Sequence, residues 1–484
     1  MDLLTGFGLL AIVFTVSALA AGLVERAPLS FPMIFLALGL VLGNREILTF
    51  DLHDPVLEVV ATLTLSFVLF LDAVNLDAGV SRRDLLVPAL ALGPGTLTVI
   101  ALIAGGAVVL LDFPWELALL LGAILASTDP VVLRDVLRDR RIPTSVRRAL
   151  SVEAGTNDVV VLPVVLILIA VSNAEVGDAA GWAWFAAELF VLGPAAGFVV
   201  GAAGAWLMSK ADKRFGIRRE YQSLYGVGLV LGSYAAGVAV GGDGFLAAFA
   251  AGVAVTFLNQ TLCDCFLEFG EAASAMTMLL AFVLFGVVLA PRVGDVALVG
   301  TLVLAAFAIV VARPLTLWAL LSLRATRLSH GARAFIAWFG PRGLNSLLFA
   351  LLVVAAEVEG AELLFAVTGV VVLVSVVAHG TSATPLTAWY GRRVAEETLD
   401  EERESTATGL FRPTVVDHDA RIDVDDLARR LASDDPPIVL DVRTRSQFER
   451  DDVQIPGSVR VYPDEVIEWA TETSPEALVV LYCT

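Results

Sequence analysis

Leu119-Leu-Leu-Gly-Ala-Ile-Leu-Ala-Ser-Thr-Asp-Pro-Val-Val-Leu133 is apolar on both sides of a polar break, Ser127 to Pro130. The next apolar run is interrupted in the same way, within Ser151-Val-Glu-Ala-Gly-Thr-Asn-Asp-Val-Val-Val161. Three carboxylates, Asp129, Glu153 and Asp158, therefore fall inside two adjacent hydrophobic segments. A charge at the centre of a bilayer costs at least about 2.5–3.5 kcal/mol on insertion scales, and carboxylates held there usually bind, relay or exchange ions. The pattern points to movement of a cation or a proton.

Composition agrees with a membrane protein. Of the 484 residues 57% are apolar and mean hydropathy is +0.80, against about 45–50% apolar for a soluble domain. Apolar runs lie near 3–24, 28–43, 55–77, 84–111, 115–133, 148–172, 181–208, 221–240, 244–258, 271–290, 296–322, 333–355 and 360–388, which gives about 13 transmembrane helices in an all-α polytopic fold. The first run, Leu3 to Val24, lacks a basic leader and is long enough to span, so it reads as a helix rather than a cleaved signal.

Loop charge sets the orientation. Arg26; Arg82 and Arg83; Arg134, Arg138, Arg140, Arg141, Arg147 and Arg148; Lys210, Lys213, Arg214, Arg218 and Arg219; and Arg324 and Arg327 all follow odd-numbered spans. Loops after even-numbered spans hold only Arg45 and Arg292 among many acids. Positive charge stays cytoplasmic, which places the N-terminus outside and the tail inside, in a cytoplasmic (inner) membrane. Thirteen spans also allow two six-span halves of opposite orientation around span 7, the inverted repeat of many secondary transporters.

The formal net charge is -19, and residues 391–484 hold 22 Asp and Glu against 11 Arg. Nucleic acid is thereby disfavoured as a partner. Lys210 and Lys213 are the only lysines. An acidic, lysine-poor surface suits a salt-rich cytoplasm, although GC-rich codon usage gives the same arginine bias. Cys263, Cys265 and Cys483 form neither a disulfide framework nor a four-ligand zinc site. No cofactor is expected.

The chain divides into a transmembrane part, 1–390, a charged linker, 391–419, and a partial cytoplasmic α/β unit, 420–484. In that unit Ile438 to Val442 and Ala477 to Leu481 read as short strands, and Gln454-Ile-Pro-Gly457 as a turn.

Within the membrane part, Pro130 removes a backbone donor and frees Thr128 oxygens to face a cavity. A helix cap at the membrane surface is the competing reading of Thr128-Asp129-Pro130. Glu153 and Asn157 share a helix face, and Asp158 lies about 100° further round. Span 12 contains Trp338-Phe-Gly-Pro-Arg-Gly343, a second interrupted helix with a buried charge. Arg342 is expected to pair with Glu153 as a structural ion pair, with cation sensing as the alternative. Arg313 is an accessory candidate that would otherwise snorkel to an interface. Asp72 and Asp77 read as interfacial or as lining the approach to the site.

Thr128-Asp129-Pro130, Glu153 with Asn157-Asp158, Gly340-Pro-Arg-Gly343 and His379-Gly-Thr-Ser-Ala-Thr-Pro-Leu386 together resemble the monovalent cation/proton antiporters of the NhaP type, over roughly residues 5–390. The resemblance implies a homodimer with a mobile six-helix core. It also implies Na⁺ bound at Asp158 and Asp129 with help from Thr128, and Asn157 standing where electrogenic relatives have a second Asp, hence electroneutral exchange. Li⁺ and K⁺ are alternative cargoes, and such an exchanger serves pH homeostasis. Ala154 replaces the serine that often follows the family's glutamate. A cation channel is the rival function.

In the tail, Asp441-Val-Arg-Thr-Arg-Ser-Gln-Phe448 and Ile455-Pro-Gly-Ser458 resemble a rhodanese, with Cys483 where that family carries its persulfide. The loop after that cysteine, whose amides stabilise a thiolate, is missing from the sequence. A transporter with a truncated or regulatory tail is thus expected, rather than an enzyme.

Overall fold

The computed structural model describes residues 30–75, 86–174, 176–323, 326, 328–399 and most of 422–482, with scattered positions between 8 and 19. Most of the first span, Asp77, Arg82, Arg83, most of the proposed linker and Cys483 lie outside the described residues.

In the membrane part every regular element among the described residues is a helix. α1 (Phe31–Asn44), α2 (Pro55–Val74), α3 (Leu86–Leu111) and α4 (Trp115–Ala126) come first. They are followed by the short α5 (Arg134–Arg138), α6 (Thr144–Ser172), α7 (Ala179–Phe215) and α8 (Arg219–Ala239). Then come α9 (Gly244–Leu258), α10 (Gln260–Leu289), α11 (Leu298–Leu321), α12 (His330–Trp338), α13 (Leu344–Ala355) and α14 (Ala361–Glu396). Among the described residues, seven helices are long and apolar enough to cross a membrane, and α1, α4, α9 and α13 are shorter apolar helices. Spans 2 to 13 of the sequence reading each meet a helix. Three run further than expected: α7 continues to Phe215, α10 begins at Gln260 and α14 continues to Glu396.

Prolines shape three of the long helices. A proline lacks the amide of the helical ladder and clashes with the preceding turn, and a π-type turn accommodates it. Such turns occur at Ala91–Gly95 around Pro94, at Glu188–Leu192 before Pro194, and at Phe307–Ala312 before Pro314. Two of these helices, α3 and α11, occupy equivalent places in the two halves and pack antiparallel. Gly106 lies against Leu304 and Phe307, Gly300 against Leu110, and Gly95 against Leu317. The two spans interrupted by non-helical backbone, the fifth and the twelfth, are equivalent in the same way. An inverted repeat is thus visible in the placement of the irregularities.

Packing is strongest within two groups. α1, α2 and α7–α10 form one, in which Gly193, Gly197 and Gly201 of α7 bring its backbone onto that of Asp243, Ala247 and Ala251. Small residues at four-residue spacing permit such close crossings. α3–α6 and α11–α14 form the other group of helices.

The tail is a small α/β unit. α15 (Val424–Leu431) precedes β1 (Ile438–Asp441), α16 (Arg445–Arg450), β2 (Val459–Arg460) and β3 (Val479–Tyr482). The strands make a parallel sheet in the order β2-β1-β3, with Leu440 opposite both Val459 and Leu481. The turn at Gln454–Gly457 is closed by the Ser458 amide on the Ile455 carbonyl, with Gly457 at φ 81°.

Candidate ion site at two crossed helix breaks

α4 stops at Ala126, and Ser127 leaves the helix in an extended conformation. Pro130 begins a 3₁₀ turn to Leu133. α12 stops at Trp338, and α13 restarts at Leu344 beyond the Gly340-Pro-Arg-Gly343 interruption. The two breaks lock into each other. The Asp129 amide donates to the Pro341 carbonyl at 2.8 Å. Ser346 Oγ donates to the Ile124 carbonyl at 3.0 Å, and the Arg342 amide to Ser375 Oγ at 2.8 Å.

Each broken helix leaves amides without partners at its amino end and carbonyls without partners at its carboxyl end, with partial charges to match. One acidic and one basic side chain meet them. Asp129 accepts from the Val131 amide (2.8 Å) and from the Leu344 amide (2.9 Å), the amino ends of both restarts. Arg342 donates from Nε to the Leu125 carbonyl (2.8 Å) and from Nη1 to the Gly340 carbonyl, the carboxyl ends of both stops.

The expected Glu153–Arg342 ion pair is therefore not formed. Arg342 is drawn to the backbone carbonyls that the breaks expose, and Glu153 takes Arg313 instead. Arg313 Nη1 and Nη2 lie 2.8 Å from Glu153 Oε1 and Oε2, and Nη2 also donates to the Phe339 carbonyl at 3.0 Å. This two-pronged geometry suits a guanidinium and a carboxylate. Arg313 does not snorkel: it is buried, at 5% exposure. The pair ties α6 and α11 to the α12–α13 break.

Asp158 is fully buried and has a different environment. Ser127 Oγ donates to its Oδ1 at 2.6 Å, and Asn345 Nδ2 donates to its Oδ2. Among the described residues no Arg or Lys pairs with it. Asn157 turns its Oδ1 to the Thr128 amide at 3.2 Å. Thr128 Oγ1 and Asp72 Oδ2 are buried and have no hydrogen-bond partner among the described residues. Buried polar oxygens normally have partners, so these two are available to a ligand.

A cavity of about 440 Å³ leads to this cluster between the two helix groups. Asp72, Asn75, Ser274 and Met278 line one wall, and Asp129, Asn345, Ser151 and Gly155 the other. Thr144, Arg147 and Arg148, at the start of α6, and Arg138 also line it. Of the two positions open to Asp72, the structure favours the approach to the site.

Ser127, Thr128, Asp129, Asn157 and Asp158 are thus brought together, with Asp72 on the same cavity as Asp129, while Glu153, Arg313 and Arg342 form a supporting layer. The sequence reading did not give Asn345 or Ser127 a role at Asp158. The signal for Asn345 is Asn345-Ser346 in the first turn of an otherwise apolar helix; for Ser127 it is membership of the same break as Asp129. His379, noted above as part of a motif, is buried with Nδ1 2.9 Å from the Ser375 carbonyl and Nε2 3.2 Å from that of Trp338.

Known proteins share this architecture. The K(+)/H(+) antiporter NhaP2 of Shewanella sp. (strain MR-4) is 30% identical over 381 residues, which is 77% of this chain and 65% of the relative. The K(+)/H(+) antiporter NhaP of Alkalimonas amylolytica is 26% identical over 401 residues, 80% of this chain and 67% of the relative. The chain thus spans about two thirds of the length of these relatives. The structure of the sodium proton antiporter MjNhaP1 from Methanocaldococcus jannaschii at pH 8 superposes with a TM-score of 0.67 at 19% identity, covering 81% of this chain and 100% of that one, a likeness of fold. The profile of the transmembrane sodium/hydrogen exchanger family matches residues 11–389, and the chain belongs to that family.

Proposed function

We propose that this protein is a secondary transporter that exchanges a monovalent cation for H⁺ by alternating access, with both ions competing for Asp158. The observation that carries the reading is the state of Asp158: a wholly buried carboxylate, held by two neutral donors, with no basic partner among the described residues, beside a cavity. Such a charge is costly to leave bare at membrane depth. A proton or a cation neutralises it, and each excludes the other, which couples the two fluxes. Asp129 completes the site from the α4 break, with Thr128 and Asp72 supplying further oxygens. Glu153 and Arg313 hold the helices around it, and Arg342 closes the carboxyl ends of the breaks.

Within the two breaks, Asn157 beside Asp158 leaves one carboxylate to load and unload, with Asp129 engaged by two backbone amides and Asp72 set apart on the facing cavity wall. Exchange is then one for one and electroneutral. Na⁺ is the first choice of cargo. K⁺ is the second, favoured by the names of the relatives above. The cavity opens beside the arginine-bearing α5–α6 loop, the cytoplasmic side by the loop-charge argument. Movement of the α3–α6 and α11–α14 group against the other would close that side and open the opposite one. A homodimer in the inner membrane follows from the family resemblance.

The test is a cation-driven pH gradient in proteoliposomes. The wild type collapses the gradient on adding Na⁺ or K⁺, and Asp158→Asn does not. Full exchange by Asp158→Asn would sink the assignment, and a cation conductance without proton counterflow would favour a channel.

A further inference from the structure

The transport cycle makes no use of the tail, yet the tail is docked on the helix that carries Asp158. Asp54, Asp178, Asp243, Asn259 and Ser329 cap helices of the membrane part from the preceding residue. α6 begins after Pro143, which provides no side-chain cap. Its Thr144 amide is met instead by Asp464 Oδ2 of the tail, at 2.6 Å. Arg445 holds that carboxylate from behind, with Nη1 3.1 Å from Oδ1, and donates to the Arg140 carbonyl. The neighbouring Glu465 pairs with Arg147, Oε1 to Nη2 at 3.0 Å. A second contact joins α16 to the end of α14, where Thr398 and Ser446 hydroxyls lie 2.7 Å apart.

These contacts stand at the outer end of the ion cavity. Thr144, Arg147, Arg148, Ser151, Val152 and Gly155 are its α6 wall. From Arg147 to Asp158 the helix rises about 16 Å at 1.5 Å per residue. A cation approaching along this wall passes Arg147 first.

We infer that Asp464 and Glu465 act as positioning residues for transport: Asp464 caps the Asp158 helix from outside, and Glu465 neutralises Arg147 at the cavity mouth, so that the docked tail sets the apparent affinity for the cation. This rests on the exchange reading above. The docking places no residue on the ion site, and the effect is carried by charge. One unmasked positive charge about 16 Å from Asp158, in a medium between protein and water, corresponds to an affinity change of about two- to fivefold at low ionic strength.

The experiment is cation-driven exchange by the full chain in proteoliposomes at low ionic strength. Glu465→Gln raises the apparent KM for the cation about two- to fivefold with the maximal rate unchanged. Arg147→Gln in the same chain returns it towards wild type. The difference disappears in about 1 M choline chloride, where the Debye length is about 3 Å. An unchanged KM in Glu465→Gln beside an active wild type overturns this inference alone, as does a loss of maximal rate that neither Arg147→Gln nor salt reverses. A wild type that exchanges no cation overturns the transport reading and this inference with it.

Discussion

Removing one partner of the Glu153–Arg313 pair should be among the most damaging single changes in the protein. Both contacts are 2.8 Å, and the two residues are 3% and 5% exposed. Glu153→Gln keeps the shape and removes the charge. Arg313 is then left with the Phe339 carbonyl and one neutral amide oxygen, and no counter-charge. An uncompensated buried charge of this kind costs about 3–5 kcal/mol, a factor of at least about 100 in the folding equilibrium. Replacing both residues by apolar ones, Glu153→Leu with Arg313→Met, should recover most of that loss, because a well-packed apolar pair avoids the desolvation of two ions. The assay is reversible SDS unfolding of the purified protein followed by circular dichroism, arranged as two double-mutant cycles. The Glu153–Arg313 cycle should give a coupling of about 2 kcal/mol or more, and the Glu153–Arg342 cycle less than about 1 kcal/mol. A larger coupling to Arg342, or none to Arg313, would refute the assignment of partners.

Gly343 lies so close to Asp129 that a Cβ there would overlap its carboxylate; Gly343→Ala should displace Asp129 from the Leu344 amide, lowering stability by about 1–3 kcal/mol and reducing exchange in the vesicle assay. Asn157→Ala leaves the buried Thr128 amide without its acceptor and should cost about 1–3 kcal/mol in the same SDS titration. At the tail, burial pushes the Asp464 carboxyl up, but Arg445 and the Thr144 amide outweigh it and hold the group below its usual 3.8. The Arg445 share of this depression is made within the tail; the Thr144 share is made only on docking, stabilises it in full above that value and is lost as pH falls through the lower one. Held by Arg445 and the Thr144 amide, with the Glu465–Arg147 pair beside it, Asp464 should therefore keep the tail docked from pH 5 to 8. Hydrogen exchange at the start of α6 should be flat across that window once corrected for intrinsic rates, and a step within it would contradict the contact.

Much of the site was legible because its chemistry is incompatible with an ordinary membrane helix. Pro130 and Gly340-Pro-Arg-Gly343 cannot continue a helix, and carboxylates at 129, 153 and 158 are too costly to lie there without a task. Partner choice was not legible. Arg342 and Arg313 each lie beside a proline in an apolar run, and sequence does not say which reaches Glu153. That depends on the carbonyls left bare at Leu125 and Gly340, which exist only once two breaks from opposite halves of the chain meet. Asn345 was hidden for the same reason: its position opposite Asp158 follows from the crossing of α13 with α4 and α6. The antiparallel pairing of α3 with α11 was not legible either, because it rests on Gly95, Gly106 and Gly300 meeting side chains and backbone about 200 residues away in the chain.

The competition at Asp158 is tested most directly by counting protons released when a cation binds to the purified protein, by titration calorimetry in two buffers of different ionisation enthalpy near the midpoint of the transport pH profile. Release should approach one proton per bound cation as the pH is lowered, with neither binding nor release in Asp158→Asn. Tight cation binding with no proton release at any pH, or release that persists in Asp158→Asn, would contradict it.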